Sequence, residues 1–250
     1  MLSIAERKYL RTLKNKKNRE EEKLFVVEGL KMVREVLNSE YHVRAVYVQD
    51  KETITTSIPT RLITESEMAE VSHFSTPSPA LALVEQAPKQ MIPNVEEIDK
   101  SCLYLGLDSI RDPGNLGTII RIADWFGIKA IFASVDTVDL YNTKVIQSSM
   151  GAIFRIPVYY ADLNKLIDTL DIPVFGTATE GESVYDCDLS NSGVIVIGNE
   201  SNGISSPLQS KIDQMLMIPS FNSDPSRSES LNAAVATAII CSEFRRRCLR

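Results

Sequence analysis

The strongest constraint on this chain is the alternation in its second part, where short apolar runs recur between longer segments of helical spacing. "CLYLGLD" reads as a buried strand, followed by a helix over 116–126, the strand "KAIFAS" and a helix over 143–152. The series continues with the strand "IPVYYA", the helix "LNKLIDTL", and the strands "PVFGTA" and "GVIVIG". A helix around 208–211, the strand "MLMIP" and a long helix from about 229 to 247 complete it. Apolar strands separated by helices predict an α/β domain whose mostly parallel sheet is covered on both faces.

The first ninety residues make a smaller unit. "KLFVVEG", "VRAVYVQD", "RLIT" and "ALALVEQ" read as strands. "LKMVREVLNS" and "ESEMAEVSH" read as helices, the second opened by Thr64 or Ser66. Residues 1–90 are expected to form one domain, 91–101 a linker rich in polar and charged residues, and 102–250 the second domain. No uninterrupted apolar stretch is long enough to span a bilayer, and the first twenty residues lack an apolar signal core. Cys102, Cys187, Cys241 and Cys248 are scattered without metal-ligand spacing, so reduced thiols, no bound metal and a cytoplasmic location are expected.

The net charge of −6 speaks weakly against a nucleic-acid partner, but Arg7 to Arg19 holds seven basic residues and no acidic one. A solvated helix face and an arm that tracks phosphates both account for that run, and composition does not choose between them. His42 and His73 read as incidental.

The chemistry concentrates around "LDSIRDPGNLGTIIRI", a turn between a strand and a helix of the kind on which nucleotide phosphates rest. A dinucleotide site needs Gly-x-Gly-x-x-Gly, and a P-loop needs Gly-Lys-Ser/Thr; neither is present. Three stretches instead carry a resemblance in order: "DPGNLGTIIRIADWFG" (112–127), "VIVIGNESNGIS" (194–205) and "MIPSFNSDPSRSESLNAAVATAI" (217–239). Together they resemble the signature motifs of the SpoU (TrmH-like) branch of the SPOUT RNA methyltransferases, over about 102–245. "FVVEGLKMVREVL" and "STPSPALALVE" look like that family's ribosomal-protein-like substrate-binding domain. In this chain "SFNSDPSRSE" separates Ile218-Pro219 from Ser230-Leu231-Asn232, a longer spacer than the family's and without its glycine.

The resemblance implies a deep trefoil knot, S-adenosylmethionine as cofactor, an RNA substrate and a homodimer through the knotted domain. The implied reaction is methyl transfer to a ribose 2′-hydroxyl, in rRNA or alternatively in tRNA. A catalytically silent RNA-binding module on the same fold is the reading from another class. Cofactor contacts would fall on Thr177, Gly198, Asn199, Gly203, Ile218 and Leu231; plain core packing also accounts for Ile218 and Leu231.

Arg121, Asn115, Glu200, Ser230 and Asn232 would form the catalytic set. Guanidinium is essentially never neutral, so Arg121 suits a clamp on the RNA phosphate and a developing alkoxide better than a base, which leaves the proton acceptor open. Asn115 by itself reads as a helix N-cap, Arg121 as a surface arginine, Glu200 as a solvent carboxylate, and Ser230 with Asn232 as a helix start. Ala234, Val235, Ala238 and Ile239 on the last helix would supply the dimer surface, and the basic "EFRRRCLR" end would complement a helix C-terminus.

Overall fold

The computed structural model describes residues 1–87, 97–221 and 230–248. The chain forms two compact units: Met1–Lys89 with Asp139–Arg155, and Gln90–Val138 with Ile156–Arg250. The boundary expected at 90/91 falls outside the described residues.

The first unit opens with two short helices, α1 (Ile4–Thr12) and α2 (Lys16–Glu22). Ser3 and Glu6 cap α1 reciprocally, and Asn15 starts α2 afresh by accepting from the Lys17 N–H at 2.9 Å. Strands β1 (Leu24–Glu28), β2 (Val43–Val48), β3 (Thr60–Leu62) and β4 (Ala80–Glu85) form a sheet in the order β1-β4-β2-β3. Strand β4 is antiparallel to both its neighbours, and β3 is parallel to β2. Helix α3 (Leu30–Leu37) follows β1, and α4 (Glu65–Val71) follows β3 with Thr64, not Ser66, as its cap.

Period-two alternation sends Leu24, Val26, Tyr47, Leu81 and Leu83 to one sheet face, where they meet Leu10, Leu13, Met68 and Val71. Phe25, on the opposite face, packs on Tyr141 with ring centroids 4.5 Å apart. That contact shows how 139–155, with its helix Thr143–Ser149, is built into this unit. Arg19, only 3% exposed, donates to the Leu13 and Lys14 carbonyls and pairs with Asp139 at 2.6 Å. Arg155 pairs with Glu35 at 2.5 Å, and Phe154 meets Tyr41 edge-on at 5.3 Å.

His73 has a structural part in this unit. It is buried, with Nε2 3.1 Å from the Leu10 carbonyl and Nδ1 3.3 Å from the Thr143 hydroxyl. Burial lowers its pKa below the ordinary 6.5, against the pull of the Leu10 carbonyl and Glu28, while Lys14 and Arg19 lower it further. The folded state therefore binds fewer protons here than the unfolded chain, and stability falls as pH drops below the unfolded value. Thermal melts are expected to show a midpoint that declines from about pH 7 to about pH 5.5, and His73→Gln to flatten that slope. Equal slopes in the two proteins would contradict this.

The second unit is a seven-stranded sheet in which every pairing is parallel. Its strands are β5 (Leu103–Leu107), β6 (Ile131–Ser134), β7 (Val158–Ala161), β8 (Val174–Ala178), β9 (Glu182–Ser183), β10 (Gly193–Ile197) and β11 (Gln214–Met217). Their order is β7-β6-β5-β10-β8-β11-β9, and the two-residue β9 is one the sequence pattern does not foretell. The helices are α5 (Pro113–Trp125), α6 (Thr143–Ser149, which belongs to the first unit), α7 (Leu163–Thr169), α8 (Ser206–Gln209) and α9 (Ala233–Cys248).

One face of the sheet buries Tyr104, Phe132, Val194 and Val196 against Leu163, Leu166 and Ile167 of α7 and Leu208 of α8. On the other face α5 and α9 run side by side. Asn232, before α9, bonds Asn115 in the first turn of α5, while Arg245 near the end of α9 donates to the Phe126 and Gly127 carbonyls, each at 2.7 Å. The two helices are thus parallel and pinned at both ends. The basic end of α9 serves tertiary structure as well as the helix dipole. Arg247 reaches the carbonyls of Val184, Tyr185 and Cys187, and Arg246 with Arg247 holds the Glu243 carboxyl down at about 2.

Candidate active site

A parallel sheet places all its strand carboxyl ends on one edge, where an α/β fold binds ligands. Here β10 lies between β5 and β8, with β11 next to β8, so the segments leaving these four strands emerge side by side. They carry all three motifs.

The first begins with the turn after β5. Asp112, not Asn115, caps α5: its Oδ1 accepts the Asn115 N–H at 2.9 Å, and Pro113 takes the first helical position, where no N–H is needed. That corrects the N-cap assignment. Asn115 stands in the first turn of the helix with its side chain left for other partners. Nδ2 donates to Glu200 Oε1, and Oδ1 accepts from Asn232 Nδ2 at 2.9 Å. Asn232 Oδ1 in turn caps α9 by accepting from the Ala234 and Val235 N–H groups at 3.0 and 3.3 Å. Each amide is oriented by its neighbours, so the chain Asn232, Asn115, Glu200 has one consistent direction. It joins one residue from each motif.

Arg121 lies two turns further along α5, flanked by buried Ile120 and half-buried Ile122. Its side chain is exposed and makes no hydrogen bond or ion pair among the described residues. Ser230 and Leu231 are exposed as well, and Ile218 is half-buried at the exit of β11. The spacer expected to depart from the family pattern lies largely in 222–229, outside the described residues.

The second motif is a tight excursion after β10. Asn199 and Gly203 exchange backbone hydrogen bonds of 3.0 and 2.8 Å, and Asn199 Oδ1 accepts from Ser201 N at 2.9 Å. Gly203 adopts φ +65, with open space where a Cβ would point. A Cβ on Gly198 would fall 2.3 Å from the Gly203 carbonyl carbon and 2.4 Å from Ile204 N. The close approach at Gly198 is therefore made by the chain's own returning backbone. Thr177 at the end of β8 donates its hydroxyl to the Val196 carbonyl at 3.1 Å, tying the two neighbouring strand ends together.

Sequence reasoning missed the anchors beneath this edge. The buried Asp108 accepts from Ser205 N at 2.7 Å, and Asn199 Nδ2 donates to the Ser109 carbonyl at 2.9 Å. Ser109 sits at φ +60 and donates to Asp136 at 2.6 Å, a bond that, with the Ser134 hydroxyl, lowers the Asp136 pKa. The available signal was an aspartate closing the otherwise apolar run "CLYLGLD". A cavity of about 580 Å³ lies elsewhere, lined by Pro173 and Phe175 at the start of β8 and by Asp213 and Gln214 at the start of β11. That is the amino end of parallel strands, away from the motifs. No grouping of three or more His, Cys, Asp or Glu is placed to hold a metal among the described residues.

Motif order, an all-parallel sheet and the Asn232–Asn115–Glu200 chain define one class of protein, and residues 102–242 match the SpoU rRNA Methylase family. The chain belongs to that family. Residues 6–82 match the MRM3-like substrate binding domain. The chain is 32% identical over 241 residues to the 23S rRNA (guanosine(2553)-2'-O)-methyltransferase RlmP of Bacillus subtilis (strain 168), with 93% of each covered. It is 34% identical over 159 residues to the 23S rRNA (guanosine-2'-O-)-methyltransferase RlmB of Neisseria meningitidis serogroup B, with 61% of each covered. A TrmH-family protein from Porphyromonas gingivalis has a similar structure, with TM-score 0.83, 35% identity and 99% of both chains covered. So does an AdoMet-bound rRNA methyltransferase from Sinorhizobium meliloti, with TM-score 0.85, 27% identity, and 100% and 98% covered.

Proposed function

We propose that this protein transfers a methyl group from S-adenosylmethionine to a ribose 2′-hydroxyl of bacterial large-subunit (23S-type) rRNA. The observation that carries this is the hydrogen-bonded chain joining Asn115, Glu200 and Asn232, anchored on the helix that also carries an exposed, uncommitted Arg121. Likeness over 93% of both chains to an enzyme named for 2′-O-methylation of 23S rRNA favours rRNA over tRNA.

Bound cofactor would supply a methyl already activated on sulfonium sulfur. The residues present suit it. Thr177, the Gly198–Gly203 excursion and Ile218 lie at adjacent strand ends, Gly203 faces open space, and Ile218 with Leu231 offers apolar surface. The trefoil knot belongs to this proposal, supported by membership of the SpoU family.

Arg121 would grip an RNA phosphate with its planar fork and stabilise the alkoxide that develops on the ribose oxygen. Asn115, held by Asn232 and Glu200, would fix the start of α5 and so the line along which Arg121 extends. Ser230 and Asn232 would face the substrate or cofactor. The first unit would bind substrate RNA. Its match to a substrate binding domain supports that role. No helix among the described residues is long and apolar enough to cross a membrane, and the cytoplasm, where ribosomes are assembled, is the proposed place of action.

A homodimer through the second unit completes the proposal, supported by apolar side chains left uncovered on α5 and α9. Trp125 is 85% exposed and Val235 49% exposed, whereas Ala234 is already buried within the protomer. Trp125→Arg with Val235→Arg is expected to halve the mass seen by light scattering at micromolar concentration. An unchanged mass would exclude that face. The function itself is tested by mapping ribose methylation across total RNA with and without the gene. Gain of no 2′-O-methyl site in 23S rRNA would refute the rRNA assignment.

A further inference from the structure

The seven basic residues between Arg7 and Arg19 do not form one population. Arg19 is consumed by buried carbonyls and Asp139, and Arg7 pairs with Glu70 at 2.9 Å. Lys16 and Lys17 face Glu20 and Glu21 one turn along α2, at 3.7 and 3.8 Å. Lys8, Arg11 and Lys14 are left. All three are exposed, and their side chains make no hydrogen bond or ion pair among the described residues.

Their placement is not that of a uniformly solvated helix. The other polar side chains of α1 are committed within the unit: Glu6 pairs with Arg61, and the Tyr9 hydroxyl donates to Glu22 at 3.0 Å. Lys8 and Arg11 share one face with Ile4, at i, i+4 and i+7, and Ile4 is 77% exposed. This face borders a groove of about 310 Å³ lined by Ile4, Arg7, Lys8, Arg11, Thr12 and Glu70. The carboxylate in the groove is neutralised by Arg7, so the groove carries a net positive charge. Favourable interaction with the C-terminal dipole of α1 accounts for Arg11 but not for Lys8, which lies a turn earlier.

A chain with net charge −6 repels a polyanion at long range and needs a local cationic region to engage one. We infer that the Lys8–Arg11 ridge of α1, continued by Lys14, is a contact surface for the phosphate backbone of the substrate RNA, separate from the transfer site. This rests on the proposed function for the identity of the RNA. The two lysines act as point charges, and Arg11 offers a bidentate fork to one phosphate. Such contacts hold and orient the substrate without reading its sequence.

The test compares two variants of equal net charge in the full-length protein, Lys8→Ala/Arg11→Ala and Lys16→Ala/Lys17→Ala. Alanine is a strong helix former, so both are expected to keep the wild-type melting curve. Binding to 23S rRNA fragments is measured across a salt series, with cofactor-dependent methyl transfer measured alongside. The ridge variant is expected to bind about 10- to 30-fold more weakly near physiological salt, with the slope of log K against log salt reduced by about 1.5. Its KM for RNA rises while kcat holds, and the control keeps wild-type values. Equal behaviour of the two variants in binding would overturn the ridge. Wild-type protein that binds RNA but transfers no methyl would instead refute the proposed function, and the binding series would still decide the ridge.

Discussion

Arg121→Ala is expected to lower kcat for methyl transfer to RNA by about 10²- to 10³-fold, the scale of losing one donor to a developing oxyanion. That corresponds to roughly 3–4 kcal/mol of transition-state stabilisation. Cofactor affinity by calorimetry and the thermal midpoint are expected to stay at wild-type values, because the side chain is exposed and no described residue depends on it. Arg121→Lys should recover little, since an ammonium keeps the charge but loses the planar fork. A wild-type rate in the alanine variant would remove Arg121 from the mechanism.

Gly198→Ala is the second large effect, and it acts on a different quantity. The new Cβ would meet backbone atoms of Gly203 and Ile204 at 2.3 and 2.4 Å, and backbone cannot rotate away as a side chain can. Either the paired Asn199 and Gly203 separate or the end of β10 shifts, and the latter strains the bond from Asp108 N to the Ile197 carbonyl. Overpacking of this kind costs about 1–3 kcal/mol, or a fall of about 2–10 °C in midpoint for a chain of this size. Cofactor affinity is expected to fall by at least about tenfold, since the displaced loop is the proposed cradle. Gly203→Ala separates space from conformation: its Cβ meets nothing, so only the left-handed backbone penalty of about 1 kcal/mol applies. Equal losses in the two variants would argue against steric exclusion at Gly198.

Much of this was legible before folding because it is local. Continuous apolar runs gave the strands of the second unit other than β9, and helical spacing gave its helices, since burial on both faces or along one stripe leaves its mark on each segment's own residues. The ends were less legible. The last helix begins at Ala233, and the first helix of that unit at Pro113, because Asn232 and Asp112 supply the caps. Asp112 rather than Asn115 caps α5 because both occur in one turn, and only the three-dimensional course of the chain shows which side chain has another partner.

The sequence by itself determined the parallel α/β architecture, the three motifs and their order, since these follow from residue types at short spacing. Only the tertiary structure decided what those residues bond to. Asn115 and Glu200 are 85 positions apart, and Asn115 and Asn232 are 117 apart. No local pattern encodes such pairs; they form because β10 is inserted beside β5 and because α9 lies along α5. Likewise, the seven basic residues from Arg7 to Arg19 are indistinguishable in sequence. Burial and pairing with distant carboxylates consumed some of them and left Lys8, Arg11 and Lys14 uncommitted, because a charge is available to a partner only where the fold has given it none.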